Sequence, residues 1–183
     1  MTARPDHTAS ADAPLTAAPT LGTERLILRP HRLSDFEAYA ALFASDRAAY
    51  IVNTPSRRNA WYSFTADVAG WPLHGFGQWA IDLRDNTHVG QTGLSRPDHF
   101  PETEIGWLIY EGHEGRGYAT EAARAVLGWA RPRIPSLVSY ITPGNTRSRA
   151  LASRLGATVD ANAPLPRGET AADTVVYRHW GPE

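Results

Sequence analysis

Residues 111–130, EGHEGRGYATEAARAVLGWA, join a glycine loop directly to an alanine-rich segment. Three glycines fall within six positions, although glycine weakens both helix and strand. The segment that follows has the spacing of an apolar helical stripe, made by Ala119, Ala122, Ala123, Val126, Leu127 and Ala130. A helix start carries unpaired amides and partial positive charge, so this loop either makes a tight turn or binds a phosphate group.

Strands are predicted on both sides of this unit, at TEIGWLIY (103–110) and SLVSYIT (136–142). Two strands joined through a helix should be parallel, with a right-handed crossover. Gly106, in the middle of the first strand, indicates a bulge or a close backbone approach.

The N-terminal half predicts a strand, two helices and a hairpin. TERLILRP (23–30) is typical of a strand, and GQWAIDL (77–83) with THVGQTGLS (87–95) is typical of a hairpin. Helices are predicted at 34–44, where Ser34 and Glu37 would form a capping box, and at 55–71, with Pro55 near its start. Residues 45–54 should be irregular.

The C-terminal part predicts a short helix and two more strands. The helix covers 145–156 and is closed by Gly156. ATVDA and DTVVYRHW are strand candidates on either side of a Pro/Gly loop at 162–169. With the other elements, this order predicts a mixed sheet with helices on its faces.

Composition bounds the class of protein. A chain of 183 residues favours one domain, and residues 1–20, rich in Ala, Thr and Pro, are predicted to be a mobile tail before a domain at 21–183. A net charge of −1 leaves no basic field for nucleic acid. There is no cysteine, which removes disulfides and thiolate catalysis and fits a reducing cytoplasm. We expect neither a membrane span nor a signal peptide, because the apolar runs are too short.

Two familiar phosphate loops do not fit, and neither does a histidine metal site. A P-loop needs Gly-Lys-Ser/Thr after the turn, and the dinucleotide fingerprint would need glycine where Thr120 stands. The seven histidines lack metal-ligand spacing, so no metal is predicted.

EIGWLIYEGHEGRGYATEAARAVLGWA, followed by SLVSYITPGNTRSRALASRLGA, resembles the GNAT superfamily of N-acetyltransferases, and within it the RimJ/RimL-like (ribosomal-protein-alanine acetyltransferase) branch. The family's acyl-CoA loop, Arg/Gln-x-x-Gly-x-Gly/Ala, corresponds to residues 114–119, and its Asn-x-x-Ser and Leu-Gly pattern to Asn145, Ser148 and 155–156. The likeness spans about residues 21–180. It implies an α/β (α+β) GNAT fold with a mixed, mostly antiparallel sheet of about six to seven strands and helices on both faces.

Three positions depart from the family pattern. Glu114 replaces the first Arg or Gln of the loop, and we expect its carboxylate to point away from a bound pyrophosphate. Ala157 replaces the usual aromatic after Leu-Gly, which leaves a smaller core contact. Gly112 loosens the approach to the loop.

The resemblance implies a binding site for acetyl-CoA as cosubstrate. Backbone amides of the loop would bind the pyrophosphate, and the backbone of the preceding strand would bind the pantetheine and the acetyl carbonyl. The implied set is Trp107, Leu108, Ile109, Gly115, Arg116, Gly117, Tyr118, Ala119, Thr120, Asn145, Ser148 and Arg154. A solvated helix face is the alternative for Arg154.

The resemblance also implies catalytic candidates. Glu104 resembles the strand glutamate that serves as base, directly or through water; a surface carboxylate is the alternative. Ser148 and Tyr140 are candidates to protonate the leaving thiolate, although Ser148 is equally the third residue of a helix capped by Asn145.

The implied reaction is acetyl transfer to a primary amine, of a protein N-terminus or a small molecule, by direct attack in a ternary complex. The acceptor would lie between the helices at 34–71 and the strand ends, with Trp61 and Trp71 as possible walls and Asp98, Glu102 and Glu104 attracting a cation. The protein would be a monomer or homodimer. The alternative is a non-catalytic acyl-CoA-binding or regulatory domain of the same fold.

Overall fold

One eight-stranded sheet organises the computed structural model, which describes residues 10–51 and 54–181. Its strands are β1 (Leu21–Gly22), β2 (Leu26–Arg29), β3 (Gln78–Leu83), β4 (His88–Ser95), β5 (Glu104–Ile109), β6 (Leu137–Ile141), β7 (Thr158–Val159) and β8 (Val175–Trp180). They lie in the order β1-β2-β3-β4-β5-β6-β8-β7, and β5 with β6 is the parallel pair among antiparallel ones. The predicted mixed sheet is confirmed. The sheet has one strand more than the six to seven predicted. The additional strand is β1, whose two residues are too few to show the alternating pattern of a strand.

Four α-helices cover the two faces of this sheet within the described ranges. They are α1 (Phe36–Phe43), α2 (Arg57–His74), α3 (Tyr118–Ala130) and α4 (Thr146–Arg154). Short 3-10 turns lie at Leu33–Asp35 and Asp46–Tyr50. The α3 helix connects β5 to β6, as the predicted crossover requires.

Alternation along β5 separates the two cores. Ile105 and Ile109 face the α3 side, in a cluster that includes Trp79, Ala122 and Val126. Leu108 packs on the opposite side, against the aromatic cluster of α1 and α2. The predicted stripe of α3 is therefore its buried face: Ala122, Ala123, Val126 and Ala130 are buried, and Ala119 and Leu127 pack beside them.

The N-terminal residues differ from the predicted tail. Leu15 donates its amide to the His31 carbonyl at 2.8 Å, Ala18 is buried, and the Trp79 indole donates to the Pro19 carbonyl at 2.7 Å. Residues 11–19 therefore pack on the domain. Residues 1–9 of the predicted tail lie outside the described residues.

The starts of the first two helices differ from prediction. Ser34 lies in a 3-10 turn, and α1 begins at Phe36 without a side-chain cap, so the predicted Ser34 capping box is wrong. Asp35 binds the Arg32 amide at 2.8 Å instead. In α2 the cap is Ser56, which accepts from the Asn59 amide at 3.1 Å.

Gly106 does not form the predicted bulge. It lies opposite Gly93 in an unbroken register between β4 and β5. A Cβ at Gly106 would meet no atom within 4 Å, so the close-approach alternative is wrong as well. The glycine instead leaves open space above this part of β5.

Buried ion pairs centred on Arg29 fasten β2 to β3 and to the start of α1. Arg29 is 8% exposed and makes two 2.8 Å hydrogen bonds to Asp35 and one of 2.5 Å to Asp82. Burial opposes ionisation of Asp35, but its hydrogen bonds, above all the one from Arg29, hold its pKa well below the usual range. The guanidinium and both carboxylates are therefore charged inside the protein.

Arg29→Met should reduce the free energy of unfolding by about 3–5 kcal/mol, because it leaves two buried carboxylates without their cation. Arg57→Met is the matched control, since Arg57 pairs with Glu37 on the surface, where the two side chains are 63% and 72% exposed. That control should cost much less, because solvent screens an exposed ion pair. Urea unfolding at pH 7 measures both. Equal losses would contradict the structural role of Arg29.

Candidate functional site

The site begins where β5 and β6 separate. Glu104 opposite Val138 is their one paired position, and the Val138 amide donates to the Thr103 carbonyl at 3.1 Å. At the next position the Ser139 hydroxyl, rather than a backbone amide, donates to the Ile105 carbonyl at 2.8 Å. Beyond it, the β6 side of Trp107–Ile109 has no paired strand, so a cleft opens along β5.

The glycine loop ends this cleft. Gly112, Gly115 and Gly117 have φ values of 81°, 74° and 82°, which disfavour a side chain at each position. Gly117 is the N-cap of α3 and leaves the start of that helix without a side-chain cap. The first amides of α3, from Tyr118 onward, thus retain the donors and the dipole that attract an anion.

Arg25 fastens the loop from the β2 side. Its Nε lies 2.6 Å from Glu121 Oε2, and its Nη1 donates to the Arg116 carbonyl at 3.0 Å. The Thr23 hydroxyl binds the same carboxylate at 2.6 Å. These contacts join the first turn of α3 to residues about a hundred positions earlier.

Arg47 fastens the loop from the other side. It donates to the Ile109 carbonyl at 2.7 Å, and its Nη1 lies 2.9 Å from Glu114 Oε1. The Glu114 carboxylate at the unusual loop position is therefore neutralised by Arg47. Sequence reasoning missed both arginines, since no local pattern links them to the loop.

Glu104 lies at the closed end of the cleft, where β5 and β6 still pair, and two donors hold its carboxyl group. The Ser95 hydroxyl donates to its Oε1 at 2.9 Å, and the Tyr140 amide to its Oε2 at 3.4 Å. Burial raises the pKa of Glu104 to about 7, and the negative charges of Asp67 and Glu169 add to the rise. A carboxyl with this pKa can take up or release a proton near neutral pH.

The two other catalytic candidates differ in environment. Tyr140 is on β6, next to Glu104, and burial raises its pKa to about 12, so it stays protonated at neutral pH. Its ring stacks edge-on against Phe100, with centroids 5.0 Å apart. Ser148 donates its amide to Asn145 Oδ1 at 3.1 Å, so Asn145 is the cap of α4.

The predicted cosubstrate residues fall into two groups. Trp107–Ile109 and residues 115–120 line the cleft and the loop, and Asn145 with Ser148 starts the helix that follows β6. Arg154 is exposed in the last turn of α4, about 13 Å along the helix from Asn145. The structure therefore does not bring Arg154 together with Asn145 and Ser148.

Several predicted acceptor contacts are occupied by other partners. The Trp71 ring packs on Trp79, 4.7 Å away, inside the core, so it does not wall a site; Trp61 is 41% exposed. Asp98 pairs with Arg167 at 3.4 Å, and Glu102 with Arg178 at 2.8 Å. Of the three predicted acidic residues, Glu104 alone lacks an arginine.

Within residues 10–51 and 54–181, no helix combines the length and the apolar character needed to cross a membrane. Nor do three or more His, Cys, Asp or Glu side chains come together there in a way that could hold a metal ion.

Comparison with known proteins identifies relatives along most of the chain. The Acetyltransferase (GNAT) domain family matches residues 25–158. A crystal structure of an acetyltransferase from Agrobacterium tumefaciens str. C58 is 44% identical, with a TM-score of 0.82 over 90% of this chain and 95% of that one.

More distant relatives share less. RimL, a ribosomal L7/L12 α-N-protein acetyltransferase solved with coenzyme A, shares the fold at 17% identity, with a TM-score of 0.65 over 87% of this chain and 95% of its own. YjdG, an uncharacterized N-acetyltransferase of Bacillus subtilis (strain 168), is 29% identical over 110 residues, which are 58% of this chain and 59% of YjdG. The chain spans little more than half the length of the curated relatives it matches.

Glu104→Gln should stabilise the fold at pH 8 by up to about 3 kcal/mol. Because the folded-state pKa of Glu104 exceeds the ordinary 4.5, the folded protein binds an extra proton between pH 4.5 and about 7. Stability therefore falls as pH rises through that window, and the neutral glutamine removes this loss. Urea unfolding of both proteins at pH 5 and pH 8 measures the effect. An equal difference at both pH values would contradict the raised pKa.

Proposed function

Because the chain belongs to the GNAT acetyltransferase family, we propose that it transfers an acetyl group from acetyl-CoA to a primary amine in a ternary complex. The observation that carries this proposal is Glu104, a carboxyl with a pKa of about 7 at the closed end of the β5–β6 cleft. The glycine loop stands at the other end of the same strand. A proton acceptor and an anion site are thus joined by one cleft.

In this proposal the glycine loop and α3 bind the pyrophosphate of acetyl-CoA. The amides of residues 115–120 supply donors without a side chain in the way at Gly115 and Gly117. Apart from the Ile109 carbonyl, which Arg47 occupies, the unpaired edge of β5 at Trp107–Ile109 offers backbone groups to the pantetheine and the acetyl carbonyl. An amide aimed at that carbonyl oxygen would stabilise the tetrahedral intermediate. The coenzyme A bound to RimL, which has the same fold, supports this assignment.

Glu104 takes the proton of the attacking amine, directly or through water. The amine nitrogen then forms a bond to the acetyl carbon, and the carbon–sulfur bond breaks. The leaving thiolate gains a proton from Tyr140 or Ser148, and that hydroxyl is restored by the second proton, which the nitrogen releases as the amide forms. Tyr140 is favoured because it lies next to Glu104, whose carboxyl accepts from the Tyr140 backbone amide.

A catalytic role accounts better for Glu104 than the alternative of a non-catalytic acyl-CoA-binding domain. Burying a carboxyl without a cation lowers stability, and simple binding gains nothing from that loss. We also retain the RimJ/RimL-like branch as a proposal, since it rests on the loop and Asn-x-x-Ser motifs.

Gly117→Asp should abolish acetyl-CoA binding and leave the fold intact, because it puts a carboxylate where the pyrophosphate would lie. Gly75→Asp is the matched control: its φ of 73° is equally left-handed, but it lies at the end of α2. Calorimetric titration with acetyl-CoA measures both variants. Unchanged affinity in Gly117→Asp would end the phosphate-loop assignment.

Glu104→Gln should lower kcat/KM by about 10²–10⁴-fold, mainly at low pH, where the amine is charged. Raising the pH should partly rescue it, since free amine then forms without a base. The rescue should be larger for an α-amine, with a pKa near 8, than for a lysine-type amine near 10.4. Thiol release between pH 6 and 9 is the measurement.

Ser148→Ala and Tyr140→Phe serve as comparisons in the same assay. Whichever hydroxyl protonates the thiolate should show a loss that higher pH does not rescue, because the affected step follows attack. Near-wild-type activity of Glu104→Gln across the range would remove Glu104 from the mechanism.

A further inference from the structure

Most carboxyl groups inside this protein are neutralised by arginine, and three are not. The paired ones are Asp35, Asp82, Glu102, Glu114, Glu121 and Asp160. Asp67 on α2, Glu104 on β5 and Glu169 between β7 and β8 are all partly buried. Within the described ranges, none of these three has an arginine or histidine nitrogen within 4 Å, and the sequence contains no lysine.

Asp67 is fixed in position by two neutral donors. The Tyr39 hydroxyl lies 3.1 Å and the Gln91 Nε2 2.8 Å from the same oxygen, Oδ2. Both contacts use Oδ2, so the second carboxyl oxygen can accept from another donor. Tyr39 and Gln91 are 2% and 3% exposed, which makes this a rigid, preformed arrangement.

Gln91 supplies an independent sign that a donor belongs here. With its Nε2 on Asp67, its Oε1 is buried and has no partner within the described residues. A buried acceptor without a donor destabilises the fold. The Gln91 amide oxygen and the Asp67 carboxylate are neighbouring hydrogen-bond acceptors, and both need a donor. The group that complements them is an ammonium or another N–H-rich cation.

Asp67 and Glu104 face the same open space. In the β4–β5 register Gln91 lies opposite Leu108, and Ser95 opposite Glu104, so both pairs point to one face of the sheet. Gly106 lies midway, and a Cβ there would meet nothing within 4 Å. The negative charges of Asp67 and Glu169 both raise the pKa of Glu104, so both carboxyls lie near it.

Glu169 borders this space from the other side. Its Oε2 accepts from the hydroxyl of Thr174, a buried residue just before β8. Two residues further, Val176 lies opposite Tyr140 on β6, beside the proposed catalytic group. The three unpaired carboxyls therefore come from three separate elements around one cleft.

We propose that Asp67 binds a second, distal cationic group of the acceptor, so that the acceptor is a diamine or a longer polycationic amine. This inference rests on the proposed function: one amine reacts at Glu104 while the far end is held at Asp67. The distal cation compensates a carboxylate that the fold leaves without a partner. It also orients the chain of the acceptor along β5.

Three acceptors of similar length test the proposal by thiol release from acetyl-CoA: 1,4-diaminobutane, 4-aminobutan-1-ol and 4-aminobutanoate. We expect kcat/KM to be at least about tenfold higher for the diamine than for the alcohol, and lowest for the carboxylate. Asp67→Asn should reduce the diamine-to-alcohol ratio at least about tenfold and leave the alcohol within about twofold.

Asp98→Asn is the control, because its carboxyl is 92% exposed and pairs with Arg167. It should leave the ratio unchanged. A wild-type enzyme that does not distinguish diamine from alcohol, or an Asp67→Asn ratio equal to wild type, would overturn the proposal while leaving acetyl transfer intact.

Calorimetric binding of 1,4-diaminobutane separates the two levels of inference. Binding that Asp67→Asn abolishes, without thiol release from any amine, would support the cation site and refute the proposed function. Absence of diamine binding, together with turnover of 4-aminobutan-1-ol, whose distal end is uncharged, would refute the Asp67 cation site and leave the proposed acetyl transfer in place.

Discussion

The parallel contact between β5 and β6 lasts for one residue pair, and the candidate site depends on its ending there. A longer ladder would satisfy the edge of β5 and close the cleft. The Ser139 hydroxyl takes over at the Ile105 carbonyl, and Ser139 Oγ lies 3.1 Å from His179 Nε2. Burial lowers the pKa of His179 to about 4, so this support is neutral at physiological pH. The closed end of the cleft is thus stabilised by hydrogen bonds between uncharged groups.

Carboxyl groups around this cleft have one of two kinds of partner, an arginine or a neutral hydrogen-bond donor. Carboxylates that shape the scaffold are bound by arginine, as Asp35 is by Arg29 and Glu121 by Arg25. Carboxyls that border the open space, Glu104 and Asp67, are held by neutral donors. A neutral donor fixes a carboxyl without cancelling its charge, so it leaves the group free to exchange a proton or meet a cation. The difference separates structural ion pairs from the groups proposed to work on substrate.

Much of the architecture was predictable from sequence because it follows from local pattern. The apolar stripe of α3, the strands around it and the parallel β5–β6 pair were expected and are observed. The predicted Ser34 capping box was wrong because Asp35, the next residue, binds the Arg32 amide and the Arg29 guanidinium. The predicted bulge at Gly106 was wrong because β4 and β5 pair there in an unbroken register. Both errors concern contacts that local sequence spacing does not encode.

The site was predictable only in part, for the same reason. Motif spacing located the glycine loop and Glu104. It could not locate Arg25, Arg47 or Asp67, whose neighbours lie far away in the chain. Nor could it tell that Glu102 is neutralised by Arg178. Pairing between remote charges is a property of the folded chain, and no local spacing encodes it.

Every cation that fastens this fold is a guanidinium. Arg25 and Arg47 bind carboxylates at the glycine loop and the start of α3, Arg29 joins β2 to β3 through Asp82, and Arg178 binds Glu102. A guanidinium stays protonated at any physiological pH and is a poor nucleophile toward a thioester, whereas a lysine amine would be a competing acceptor. Since the sequence contains no lysine, its side chains offer no amine for self-acylation. No side-chain amine of the scaffold therefore competes with the acceptor for the acyl group that we propose it binds.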